Sequence, residues 1–279
     1  MDLSKLNFNF VNSPPLICIY GPPGIGKTAF AIGCDKDSEY KIGRDDHILM
    51  NIDFHGADRL KVKKIFDSTI ETTDQIKEAF KSLAEQKHEF TWLVIDDLST
   101  LEEIFVEEVC KEQNVDELRK VEYGRGYELA RIKWHLLFRM ISDLQAMKNI
   151  GIILIGHNRI DTQKDPMSES YSRHDIQLDR RAKEIFKKRV ELIGFARKKV
   201  FTKNMDDTGF GKKQKIPVGE SQRVITFAPD IEGFDSKDRF GLPSEIPLDW
   251  NIFEEELSKV YNKIEPITKK TITTKKGEK

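Results

Sequence analysis

Leu16-Ile-Cys-Ile-Tyr-Gly-Pro-Pro-Gly-Ile-Gly-Lys-Thr28 is the stretch that decides the fold. Its first five residues are apolar and β-prone and stop at glycine and proline, so they read as a buried strand entering a turn. Residues 21–28 satisfy G-x-x-x-x-G-K-[ST], and 27–34 have helical composition. Strand, glycine-rich loop and helix in that order are what a phosphate-binding loop requires. Gly21, Gly24 and Gly26 let backbone N–H groups converge on phosphate oxygens, and the following helix adds its positive dipole end. Lys27 is expected to reach the β- and γ-phosphates and Thr28 to offer its hydroxyl to Mg2+, with Pro22, Pro23, Ile25 and Ala29 completing the cradle. A glycine turn without a ligand is the plain alternative, and the strand-loop-helix setting argues against it.

A magnesium partner should stand at the end of a neighbouring buried strand. Leu93-Val-Ile-Asp96-Asp97 has that form, which makes Asp96 the metal-side carboxylate. Asp97 could orient the attacking water, or Asp97 or Ser99 could simply cap the next helix. Further strands are expected at 48–52, 92–95 and 150–155. Helices are expected at 66–86, with Ile70, Ile76, Phe80 and Leu83 inward, and at 127–147, with Leu129, Ile132, Leu136, Leu137, Met140, Ile141 and Leu144 inward. Ser99 to Glu102 has capping-box spacing ahead of Ile104 and Phe105. Alternating strands and helices argue for an α/β fold with a mainly parallel sheet covered on both faces.

The remainder of the chain is more polar. Residues 158–177 have almost no periodicity and are expected to form a mobile loop, and 178–190 look like a basic helix. Residues 192–201 and 223–227 are expected to pair as antiparallel strands around a Gly- and Lys-rich insert at 203–220. One domain over 1–262 and a disordered Lys/Thr-rich tail at 263–279 complete the expectation.

Bulk composition excludes several classes. Across 279 residues, 46 basic side chains face 47 acidic ones, so no global field draws the molecule onto nucleic acid or membrane. The three cysteines lack metal-ligand spacing, and their scarcity suits a reducing compartment. No apolar run approaches the roughly 20 residues that span a bilayer. A cytoplasmic protein is expected.

The chain resembles the RecA-like P-loop ATP-binding proteins of phages and prophages, an AAA-type group that includes the Sak-type single-strand-annealing ATPases. The resemblance rests on GPPGIGKT at 21–28, LVIDD at 93–97, YGRGYELARIKWHLLFRMISDL at 123–144, ILIGHN at 153–158 and DSKDRFGLP at 235–243. It implies a RecA-like core with a C-terminal antiparallel hairpin, ATP and Mg2+ as cofactors, homo-oligomers, single-stranded DNA and phage or host replication and recombination proteins as partners. It also implies that His157 lies near the γ-phosphate as a sensor, though a loop histidine is the alternative. Lys237 and Arg239 would reach the nucleotide of a neighbouring subunit, unless they belong to an ordinary surface turn. One departure matters: the segment 52–58 carries no glutamate, so Asp53 or His55 would have to polarise water, or turnover is slow.

Residues 159–181, with Arg173, His174, Arg180 and Arg181, run into Lys183, Lys187, Lys188 and Arg189 and form the candidate single-stranded DNA surface. Tyr171 could stack on a base. Interspersed Asp161, Asp165, Glu169, Asp175 and Asp179 dilute the charge. The competing readings are an oligomeric motor or helicase-loader-like ATPase acting on protein, and a nucleotide-gated regulator with little turnover. ATP is preferred over GTP because no Asn-Lys-x-Asp motif occurs.

Overall fold

The computed structural model describes residues 13–34, 41–52, 57, 59–163, 170–199, 202–204, 215–217, 222–228 and 233–263. The elements, in chain order, are β1 (Leu16–Gly21), α1 (Lys27–Ala31), β2 (His47–Asn51), β3 (Lys63–Lys64), α2 (Thr73–Glu85), β4 (Trp92–Asp96), α3 (Leu98–Glu112), α4 (Arg125–Lys148), β5 (Gly151–Gln163), β6 (Tyr171–Ile176), α5 (Arg180–Arg189), β7 (Leu192–Lys199), β8 (Thr202–Asn204), β9 (Lys215–Pro217), β10 (Gln222–Thr226), β11 (Lys237–Asp238), β12 (Glu245–Pro247) and α6 (Trp250–Lys263).

The main sheet runs β12-β10-β7-β1-β5-β4-β2-β3, with β6 on β5 and β11 on β7. Its centre is parallel, β7-β1-β5-β4-β2-β3. The C-terminal strands β10, β11 and β12 are antiparallel. This is the α/β class expected from the sequence, a mainly parallel sheet flanked by helices with antiparallel strands towards the C-terminus. All six residues of β1 are buried. Alternate residues face opposite layers, as strand geometry demands: Leu16, Cys18 and Tyr20 pack with α2 to α5, while Ile17 and Ile19 pack with α1 and α6. Burying each such aliphatic side chain stabilises the fold by roughly 1.5–3 kcal/mol. Trp250 fixes α6 by meeting Phe30, His47, Trp92 and Phe253 at ring distances of 5.5, 4.7, 5.1 and 5.6 Å.

Four sequence expectations need correction. Helix α2 begins at Thr73, not at 66, because Thr72 and Gln75 form a reciprocal capping box. Ile70 is buried ahead of the helix, its N–H held by Asn51 O. Helix α3 is capped by Asp97, whose side chain accepts from Thr100 N–H, so Ser99 and Glu102 are not its box. On α4 the inward stripe is Trp134, Leu137, Phe138, Ile141 and Leu144; Ile132 and Leu136 are 44% and 43% exposed. A stripe one turn-edge away satisfied the same 3.6 period.

The fourth correction concerns 158–177. Asn158–Gln163 pairs antiparallel with Tyr171–Ile176, so these parts of the expected loop are strands of an arm prolonging β5, and 164–169 lie outside the described residues. Backbone pairing and ion pairs hold it, and neither leaves an apolar period in the sequence. The pairing of β7 with β10 is as expected. The ends of the insert pair as β8 and β9, and its intervening residues, with the tail 264–279, lie outside the described residues. Among the described residues no helix is long and apolar enough to cross a membrane.

Candidate functional site

The sheet registers place the site. Gly21, the last residue of β1, lies opposite His157 of β5, and Ile95 of β4 lies opposite Leu154 of the same strand. Strand β5 therefore separates the glycine-rich loop from Asp96, a gap of two strand spacings, or about 10 Å. Helix α1 bridges it: Thr28 Oγ1 donates to Asp96 Oδ2 at 2.5 Å.

The loop's conformation is one that glycine permits. Gly24 and Gly26 have φ of 73° and 107°, the left-handed region where a side chain would be strained. A Cβ on Gly21 would stand 2.3 Å from Ala196 O on β7, so the loop can begin only with glycine at this close approach. Lys27 is 5% exposed, and its ammonium donates to Gly21 O (2.9 Å) and Pro22 O (3.1 Å) along the loop's inner rim. Pro23, Gly24, Gly26, Lys27, Thr28, Ala29, Asp96 and His157 line one cleft of about 320 Å3, together with Lys41 and Leu60.

Hard oxygen donors, the Thr28 hydroxyl and the Asp96 carboxylate, converge at one end of this cleft and an ammonium lies nearby. That donor set suits Mg2+ on a polyphosphate. The fit rests on Asp96 being 4% exposed and already bonded to Thr28, so that a cation between them would meet oriented oxygens.

Asp97 takes the capping alternative. Its Oδ1 accepts from Thr100 N–H at 2.8 Å and its Oδ2 meets His157 Nε2 at 3.1 Å. Burial alone would raise its carboxyl, but the bonds from His157 and the helix N–H groups outweigh that and hold it below the ordinary value. Both oxygens are committed and 4% of the side chain is exposed, a poor setting for activating water. His157 lines the cleft and ties its rim to α3 through Asp97. The peptide Asp96–Asp97 is cis.

Asp53 and His55 lie outside the described residues. Strand β2 ends with Asn51 opposite Asp96. Lys237 is engaged within its own chain. Its ammonium donates to Lys187 O and Val190 O, both at 2.6 Å, and so caps the end of α5 within its own chain. It sits level with Ile193 at the start of β7, the end of the strand remote from the loop. Arg239 is exposed in the following turn.

The candidate nucleic-acid surface is largely neutralised from within. Lys183 Nζ lies 2.9 Å from both Asp161 and Asp175, Arg173 pairs with Asp235 at 3.3 Å, Lys187 with Asp235 at 2.7 Å, and Arg159 with Asp161 at 3.0 Å. Arg181 lies over the Tyr127 ring. Lys188 and Arg189 are exposed, and no described carboxylate pairs with them. Tyr171 is half-buried near the far end of the arm.

Two contributors have no local signature in the sequence. Tyr20 donates its hydroxyl to Asp235 O at 2.5 Å, tying the strand before the loop to a segment 215 residues away. Arg223 on β10 donates to Ile25 O in the loop at 3.3 Å. A lone basic residue in the apolar run QRVITF was its only trace.

A family model described as an AAA domain matches residues 13–240. No curated protein matches the chain. The solved structure of the RadB recombinase is similar over 77% of this chain and 80% of that one, at 12% identity and a TM-score of 0.38, a likeness too remote to bear on function.

Proposed function

The chain belongs to the AAA domain family, and from that premise we propose that it is a Mg2+-dependent ATP-binding protein and slow ATPase. We place it in DNA recombination or single-strand annealing of the phage type, acting as homo-oligomers on single-stranded DNA. The observation that carries the nucleotide reading is the convergence of Lys27, Thr28 and Asp96 on one cleft behind a left-handed glycine loop.

In this reading the loop's N–H groups bind the phosphate chain, and Lys27 moves its ammonium from the loop carbonyls to the β- and γ-phosphate oxygens. Mg2+, when bound by Thr28 and Asp96, neutralises charge on those phosphates. His157, held by Asp97, would register the γ-phosphate and pass that state to α3. Orientation of water falls to the segment after β2, Asp53 or His55, because Asp97 is committed elsewhere. Arg239 could still act on a neighbouring subunit's nucleotide, whereas Lys237 is tied to α5.

The ion pairs along the β5–β6 arm favour a second reading, a motor or regulator that acts on protein, because little of the arm's positive charge is left to bind phosphates. ATP turnover measured with and without single-stranded DNA, on the parent and on Lys27→Ala, separates the two. DNA binding that weakens with salt and a rate raised by DNA support recombination or annealing. Turnover abolished by Lys27→Ala but indifferent to DNA leaves the protein-directed reading.

A further inference from the structure

On β7, Arg197 and Lys199 share the carboxylate of Glu245. Lys198, between them, projects from the other face of the strand. Directly opposite it across the antiparallel ladder stands Arg223 of β10. Both side chains are exposed, and neither has a carboxylate partner among the described residues. Like charges directly opposite one another on neighbouring strands destabilise a sheet unless an anion bridges them.

Arg223 lies against the phosphate loop, with Lys198 opposite it on the neighbouring strand. Arg223 Nη1 bonds Ile25 O and stands 3.0 Å from where a Cβ on Gly26 would be. Leu248, whose N–H bonds Arg223 O at 2.9 Å, is 3.7 Å from the same point. Lys198 shares a cleft of about 490 Å3 with Pro22 of the loop and Asn158. Strands β7 and β10 lie on one side of β1, and β5 and β4, with Asp96, on the other.

We propose that Lys198 and Arg223 form a second phosphate-binding pair, gripping the nucleotide's phosphate chain from the flank of the loop opposite Asp96. The proposal rests on the nucleotide reading of Gly21 to Thr28. With it, the chain would be held by Lys27 and the loop amides at the centre, by oxygen-bound metal on one side and by a guanidinium and an ammonium on the other. Arg223 is suited to the part because its planar fork can keep the Ile25 carbonyl while turning its remaining N–H groups to an anion.

The test is calorimetric titration of MgADP and of magnesium tripolyphosphate into the parent, Lys198→Gln, Arg223→Gln, the double variant, Arg223→Lys and Lys27→Ala. Thermal melts without ligand accompany each titration. Arg223→Gln should weaken both ligands about tenfold and the double variant about a hundredfold, one charge-assisted contact at a time. Arg223→Lys should retain more affinity than Arg223→Gln. The ligand-free double variant should melt no lower than the parent, because a repulsion has been removed. Parental affinity in the double variant, alongside loss in Lys27→Ala, overturns the pair and leaves the nucleotide site standing. Weakening of MgADP without weakening of tripolyphosphate also overturns it, by moving the contact to base or ribose. A parent that binds neither ligand overturns the nucleotide reading itself.

Discussion

Asp96 and Asp97 are adjacent in sequence and have different work, because one ends a strand and the other starts a helix. Asp96→Asn should leave ADP binding without metal nearly intact and remove most of the gain that Mg2+ brings, read as the ratio of affinities with and without the cation. Equal ratios in parent and variant would remove Asp96 from the metal side. Asp97→Asn keeps a good helix cap, since asparagine caps as well as aspartate, and so isolates the charge facing His157. A carboxyl held below its ordinary value contributes stability that is present above about pH 4 and lost as pH falls through its folded value. The variant should therefore be less stable by about 1–2 kcal/mol near neutrality, with the gap closing in acid. Denaturant melts across that range give the answer, and a gap constant with pH would contradict it. At this scale the sequence was legible where spacing was local: Gly21 to Thr28 and Asp96 could be read because a loop motif and a strand end each sit in a few consecutive residues. Arg223 could not, since it reaches the loop from 198 residues away and only the folded sheet brings it there.

Among the elements, the β5–β6 arm depends most on a single side chain. Lys183 is nearly buried between Asp161 and Asp175, with Asp175 2% exposed. Lys183→Met should destabilise by roughly 3–5 kcal/mol, because it takes the close ammonium from the buried Asp175, whereas Asp161 keeps Arg159. Hydrogen exchange should quicken first at 158–163 and 171–176, and unchanged protection there would show that the arm is held otherwise. Glu102 carries a second element-scale expectation. Burial pushes its carboxyl from 4.5 up to about 7, despite the Asp179 N–H that it accepts. The folded form thus keeps a proton that the unfolded form releases, and stability falls as pH rises across that window. Relative to Glu102→Gln, the parent should lose on the order of 2 kcal/mol between about pH 5 and about pH 8. Parallel melting profiles would contradict this. Elements with a strong apolar period were legible, and their edges were not: α2 starts at a capping box inside an apolar-spaced run, and the arm carries polar strands with no period at all.

At the scale of the whole molecule, the alternation of strands and helices foretold a parallel sheet, but strand order was beyond reach. Nothing in the sequence alone says that β5 enters between β1 and β4, and that insertion is what sets His157 between the glycine loop and the two aspartates. The same order puts the antiparallel strands on the far flank of β1, where Arg223 meets the loop with Lys198 opposite it. The central claim is that this arrangement is a nucleotide site built on Gly21 to Thr28. Its most direct test is calorimetric titration of MgATP into the parent and into a folded Lys27→Ala variant. Saturable binding of one nucleotide per chain, weakened on the order of a hundredfold or more in the variant, is the predicted result. No binding to the parent, or equal binding to both proteins, would contradict it.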